Sequence, residues 1–253
     1  MAKAAKTKPV SKKRAPAKPR RKTKAGRGWF WPVRWVFHWL FRGAIIGGLV
    51  LFLAVVIYGV IDPPTTPYMF SEGRRVGGVD QQWVDLDDIS PVMARSVIAG
   101  EDANYCLHWG FDMAAIRKAL EGGSTRGAST ISQQVVKNVY LWQGRSWARK
   151  ALEAVMTPMV ELVWTKRRII EVYLNVAEFG DGVFGVEAAA RTNFRVGPDA
   201  LQPWQAARLA AVLPSPKKRS ANNASGFVKK RSRAIADGAA TILADGRAAC
   251  LDG

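Results

Sequence analysis

Cysteine is scarce in this sequence. Cys106 and Cys250, 144 residues apart, are the whole complement, and this excludes a disulfide-dense scaffold. A chain of 253 residues can enclose a core of ordinary size, so no disulfide or metal staple is required. Cys106 lies in the most motif-like part of the chain, and two separate thiols are the expectation. Alternating apolar and polar runs are nearly absent, which argues against a β architecture. No internal repeat is visible. Acid is missing from the front: residues 1–42 hold 14 Lys or Arg and no Asp or Glu.

The whole chain carries 38 basic and 20 acidic residues, a formal charge of +18. As a bulk figure this invites a nucleic-acid partner, because basic surface attracts phosphate without reading sequence. The distribution argues otherwise. The residues after Arg42 hold 24 basic and 20 acidic side chains, a balance of only +4. Residues 1–28 are Lys, Arg, Ala, Pro and Thr with almost no large apolar side chain. Such a segment cannot bury enough surface to offset its ordering entropy and is expected to be a disordered basic tail. Ten Trp and 48% hydrophobic residues exclude disorder for the rest.

Residues 29–42 are dense in Trp and Phe, with His38 among them. Such rings favour the headgroup zone of a membrane. Gly43 to Ile61 follows, nineteen residues without charge, about 28 Å as a helix and close to the hydrocarbon thickness. A cleaved signal peptide would have a shorter charged region, a shorter apolar run and a small-residue cleavage site. An uncleaved anchor is therefore expected, with its basic end in the cytoplasm and residues 62–253 outside.

Beyond a stem over 62–84, the pattern is helical. Ser90-Pro91 reads as N-cap and first helical residue, in a helix with Glu101 near its end. Asp112, Ser129, Ser146 and Thr165 open the next four, and Pro158 is expected to kink the fourth. Gly185–Asn193, Gln202–Leu213 and Phe227–Ala244 fit further helices. The expectation is an all-α domain over 85–253, with a small irregular β element near 68–84.

Three stretches are too polar for plain helix packing. They are Glu101-Asp102-x-x-Tyr105-x-x-His108-x-Gly110-x-Asp112, Gly127-x-Ser129-Thr130-Ile131-x-Gln133-Gln134-x-x-Lys137-Asn138, and Arg145-Ser146-x-x-Arg149-Lys150-x-x-Glu153. In the second, Thr130, Gln133, Gln134, Lys137 and Asn138 recur at helical spacings of three or four. On spacing alone that stripe suits either a sugar and phosphate site or a solvated helix face.

With Lys166-x-x-Ile169-x-Glu171-x-Tyr173-Leu174-Asn175, these stretches resemble the successive motifs of the peptidoglycan glycosyltransferases, the family shared with the front domain of class A penicillin-binding proteins. The run from Ala177 to Ala190 is similar to the stand-alone, monofunctional biosynthetic members. The resemblance covers about residues 85–235. It implies a lysozyme-like helical fold with one N-terminal transmembrane helix, held in the inner membrane. It also implies a glycan polymerase acting on lipid II and on a lipid-linked glycan chain. The 4-hydroxyl of lipid II would attack the anomeric carbon of the growing chain, form a β-1,4 link with inversion, and release undecaprenyl diphosphate. Other cell-wall synthases or divisome proteins are conceivable partners, and nucleic acid is not.

The residue types suit that chemistry. A sugar hydroxyl is a poor nucleophile, and a carboxylate must take its proton as bonding begins. Glu101 matches the family's catalytic Glu and is the expected base. The diphosphate leaves already charged and needs cations more than a proton donor. Lys137 and Arg145 match diphosphate positions, Arg149 is suited to the same role, and Lys166 resembles the donor-side cation. Glu153 matches the second family Glu. It would hold a divalent ion (Mg or Mn), orient the basic residues, or simply pair with Arg149 at i,i+4. No organic cofactor is implied. Ser129, Gln133, Gln134 and Asn138 are assigned to hydrogen bonds with sugar and phosphate. Lys118 stands where the family commonly has Arg, keeping charge without the planar fork. His108, Asp102 and Asp112 are expected to be structural, as are Glu171, Tyr173 and Asn175. Arg231 aligns with the basic part of a loosely matched last motif. The loop Gly122–Gly127 is a candidate cover for substrate.

The main rival is a lytic transglycosylase, which also uses a Glu at a helix end but needs neither diphosphate cations nor an anchor. A membrane scaffold or nucleic-acid tether would leave the polar stripe unexplained. The length leaves no room for a transpeptidase domain, so Ser215-x-x-Lys218 is expected to be a chance match.

Overall fold

The computed structural model describes residues 31–122, 129–144 and 146–252. The basic tail, the 123–128 part of the proposed covering loop and Arg145 lie outside the described residues. The chain divides into two units after Gly48.

Helix α1 runs from Trp31 to Tyr58 and crosses that boundary. It is long and apolar enough to span a membrane. The aromatic segment and the apolar run are thus one helix, ending three residues short of the expected Ile61. The reason lies in the second unit. Val55 is fully buried, and its carbonyl accepts from Trp164 Nε1 at 2.7 Å. The Arg168 guanidinium donates to the Tyr58 and Ile61 carbonyls, so the helix end is satisfied by a side chain. The last turns of α1 belong to the globular body.

Helix α2, Pro67–Val76, is capped by Thr66 and begins with proline. It replaces most of the β element expected near 68–84. What remains of that element is Asp80, which forms a bridge with Val183. The small sheet itself is β1, Glu178–Gly180, antiparallel to β2, Val183–Phe184.

The helices then follow the expected order. They are α3 (Pro91–Glu101), α4 (Met113–Glu121), α5 (Ile131–Tyr140), α6 (Trp147–Val163) and α7 (Lys166–Val176). After the sheet come α8 (Val186–Phe194), α9 (Pro203–Val212) and α10 (Gly226–Asp245). The fold is all-α. Helix α6 continues as one element through Pro158. Ser90 does not cap α3 with its side chain; its hydroxyl donates to the Leu201 carbonyl instead. Thr130, rather than Ser129, caps α5.

Helices α3, α9 and α10 pack on one another, and α5 packs on α6 and α7. Apolar faces of both groups, including Val97, Ile98, Val135, Ile169, Leu209 and Ile235, join in one core. Cys106 and Cys250 are bonded to each other, with Cα atoms 5.6 Å apart. This corrects the expectation of separate thiols. The C-terminal turn Ala249–Leu251 comes back to the body, where Arg167 Nη1 donates to the Leu251 carbonyl at 2.8 Å. Separation along the chain says nothing against such a return.

Candidate active site

Glu101 is the last residue of α3, where the α3–α9–α10 group meets α5. Three contacts fix that junction. Asp102 accepts from the Ile131 amide at 3.0 Å, the first N–H of α5. Its other oxygen lies 2.8 Å from His108 Nε2. Thr130 Oγ1 donates to the Gly110 carbonyl at 2.7 Å. Gly110 has φ +82°, and a Cβ there would stand 2.7 Å from the Thr157 methyl, so the turn requires glycine. Asp112 caps α4 through the Ala115 amide, which pulls its carboxyl below the usual range. Asp102, His108 and Asp112 hold the loop after Glu101 in place.

The Glu101 carboxylate accepts from Gln134 Nε2 at 3.0 Å. Tyr173 Oη donates to the amide oxygen of the same Gln134 at 3.2 Å, which fixes the orientation of the amide. Glu101 Oε1 is buried without a hydrogen-bond partner, and Arg231 Nη2 stands 3.5 Å from it. Arg231 itself donates to the Gly100 carbonyl at 3.0 Å. Burial raises the Glu101 carboxyl above the ordinary carboxylate range, against the opposing effects of Gln134, Arg231 and Lys137. A carboxylate held in this way is a better proton acceptor than one in water.

Two cavities flank this point. One of about 410 Å³ is lined by Glu101, Asn104, Asp112, Lys118, Ser129 and Thr130 among others. The second, about 380 Å³, is lined by Gln134, Lys137, Asn138 and Gln143 of one wall and by Ser215, Lys217 and Lys218 of another. Lys137 is half-buried, and burial lowers its pKa although Glu153 and Glu101 oppose the shift.

The remaining expected residues divide. Gln133 is buried in a capping box, its side-chain oxygen accepting from the Thr130 amide at 3.1 Å. It lines neither cavity, and its side chain serves as part of the helix cap. Glu153 is buried, and both of its oxygens are taken, one by Arg149 Nη1 at 2.8 Å and the other by Lys150. Arg149 Nε also donates to the Gly144 carbonyl. Lys166 pairs with buried Glu161 at 2.8 Å and sits over the Tyr105 ring, away from both cavities. Asn175 donates to the Val84 carbonyl and accepts from the Val84 amide.

Sequence reading gave no role to the Pro214–Lys218 wall. Ser215 and Lys218, set aside as chance, line the same cavity as Lys137. A run of Pro-Ser-Pro-Lys-Lys between two helices was the available signal. Beside it, Glu178 accepts from Tyr68, and Glu72 pairs with Lys217 at 2.7 Å and with Arg75. Burial raises Glu178, while Lys217 and Arg75 hold Glu72 below the usual range despite burial.

A partly buried carboxylate at a helix end thus stands beside a cavity lined with cations and amides in an all-α domain. The transglycosylase family model matches residues 71–240, and the chain belongs to that family. Its relatives include three proteins called biosynthetic peptidoglycan transglycosylase. That of Jannaschia sp. is 58% identical over 214 residues, covering 85% of this chain and 90% of the relative. That of Xanthomonas axonopodis pv. citri is 47% identical, covering 79% and 85%. The Caulobacter vibrioides protein is 45% identical, covering 84% and 93%. By this membership the chain is a glycosyltransferase.

Proposed function

We propose that this protein polymerises peptidoglycan glycan chains for cell wall synthesis, using lipid II as acceptor and the lipid-linked growing chain as donor. Glu101 takes the proton from the acceptor 4-hydroxyl as that oxygen attacks the donor anomeric carbon. The glycosidic bond to the lipid diphosphate breaks on the opposite face, so configuration inverts. Lys137, with Arg145, receives the diphosphate charge; Arg149, already paired with Glu153, joins them only by leaving that carboxylate. Lys118 and Ser129 serve the Glu101 cavity, and Gln134 and Asn138 serve the Lys137 cavity. Gln134 also orients the base. Lys166 and Glu153 act from behind: one through Glu161, the other by fixing Arg149 and Lys150.

The carrying observation is the partly buried Glu101 carboxylate, held by Gln134 at 3.0 Å with Oε1 shut off from solvent, between one cavity open to an acceptor and another with a partly buried ammonium. A lytic enzyme would have no use for the second. A divalent ion at Glu153 does not fit its two cationic partners. Glu72, Glu178 and Asp181 bring carboxylate oxygens within 4.8 Å of one another, but Lys217, Arg75 and Tyr68 already engage them. No step is routed through a metal.

The domain limits read from sequence support a cytoplasmic basic tail, an α1 span and an external catalytic body in the inner membrane. Lipid II polymerisation by the purified full chain tests the proposal. Glu101→Gln is expected to reduce the rate by about 10²–10⁴-fold. Wild-type speed in that variant would remove Glu101 as base. Cleavage of preformed glycan without synthesis would establish the lytic reading.

A further inference from the structure

The charge of the external body is divided a second time. Residues 200–236 hold eight basic side chains and no acidic one, whereas the rest of residues 43–253 holds 16 basic and 20 acidic. The body's positive balance therefore comes entirely from α9, the Pro214–Lys218 wall and the first half of α10. Two of those cations are already placed: Arg231 faces Glu101 and Lys217 pairs with Glu72. Three others, Arg208, Lys229 and Arg233, converge elsewhere.

They line a cavity of about 230 Å³ between α9 and α10, together with Trp204, Ser232 and Ala236. Lys229, Ser232, Arg233 and Ala236 follow helical spacing and so share one face of α10. Arg231 lies some 200° around the helix from Arg233, on the side that meets α3. The cavity is thus separate from the Glu101 cleft. No carboxylate lines it, and among the described residues none of its three cations makes an ion pair. Elsewhere in the body, Arg75, Arg149, Lys150, Arg168 and Arg191 all have acidic partners. The Arg208 guanidinium lies 4.8 Å from the Trp204 ring centre, which restrains its fork. Trp204 remains half exposed.

We propose that this cavity binds an anionic saccharide, specifically a glycan strand bearing peptide carboxylates, at a point separate from the catalytic cleft. The cations supply an oxyanion seat, and the restrained guanidinium offers paired donors. The exposed indole supplies an apolar face for a sugar ring. A membrane surface is the weaker match, because the cations line a concavity instead of ringing a protruding apolar wedge. The choice of glycan rests on the polymerase reading above. The site would hold product strand near the enzyme between additions and lengthen the chains made.

The test uses full-length protein in detergent and lipid-free, peptide-bearing glycan strands of defined length, with binding read by fluorescence. Arg208→Ala/Lys229→Ala/Arg233→Ala is expected to weaken binding at least tenfold, and Trp204→Ala to weaken it severalfold. Raising salt should weaken wild type. A thermal melt verifies folding of each variant. The triple variant should polymerise lipid II at the wild-type initial rate but make shorter chains. Wild-type affinity in the triple variant overturns the proposal. So does equal binding of a neutral β-1,4-N-acetylglucosamine oligomer, or triple-variant loss confined to vesicles of anionic phospholipid. If wild type binds strands through these residues yet never polymerises lipid II, the polymerase reading fails and the saccharide site stands.

Discussion

The bond between Cys106 and Cys250 closes a loop of 144 residues that contains α4 to α10. In the chain-entropy description, closing such a loop in the unfolded state is worth about 5 kcal/mol, and native disulfides commonly deliver about 2–5 kcal/mol. For a body of this size, unfolding entropy makes each kcal/mol equivalent to roughly 2–4 °C. Cys250→Ser should therefore lower the melting temperature of the full chain in detergent by roughly 5–15 °C. Cys106→Ser and the double variant should match it, because either change opens the same loop. A reductant should reproduce the shift in wild type and do nothing to the variants. The effect should fall on stability more than on turnover, since Asp102, His108 and Gly110 hold the Glu101 loop by contacts of their own. Thermal melting with and without reductant, beside free-thiol titration, decides it. Two free thiols in the oxidised wild type, or coincident melts for all four proteins, would refute the reasoning.

Arg231→Gln removes the cation 3.5 Å from Glu101 Oε1. Losing positive charge favours the protonated acid, so the acidic limb of the rate profile should move to higher pH with little change in KM. An unmoved limb would show that Arg231 serves the fold alone. Gln133→Ala should cost about 1 kcal/mol of stability through the lost capping box while KM for lipid II stays put; a raised KM without destabilisation would return Gln133 to the cleft. Gly110→Ala should destabilise strongly, by about 2 kcal/mol or more, because of its positive φ and the Thr157 contact. A melt within a degree of wild type would contradict this.

The helices were legible because their signals are local. Asp112, Ser146 and Thr165 each cap the helix that the sequence assigned to them. Ser90 sits at the N-cap position of α3 but accepts no helix N–H; its hydroxyl is turned to the distant Leu201 carbonyl, a contact that local sequence does not show. The β element was misplaced because Pro67 after Thr66 is a helix start, and the strands lie instead in a short local pair over residues 178–184 that Asp80 joins from a distance. In the site, helical spacing grouped Gln133 with Gln134. It could not reveal that one side chain folds back onto its own N-cap while the other reaches α3. Family resemblance named Arg231 but not its partner, Glu101, which lies 130 residues away; Ser215 and Lys218 were beyond local reading because the rest of their cavity comes from distant segments.

Charge gives the clearest case of how far a sequence carries. Dividing the +18 at residue 42 separated a topology signal from a nearly balanced body, and the residue list alone sufficed for that. Which body cations can meet a ligand is a question of pairing, and pairing is tertiary. Arg149 and Lys150 are held by Glu153, Lys166 by Glu161, and Lys217 by Glu72. Lys137 has no such partner among the described residues; burial lowers its pKa, and an anion beside it would favour the charged form. Arg208, Lys229 and Arg233 are the second unpaired group, and they surround an indole. A diphosphate suits the first environment, a half-buried ammonium among amides. A carboxylate on a sugar strand suits the second, with its unpaired cations beside an exposed indole.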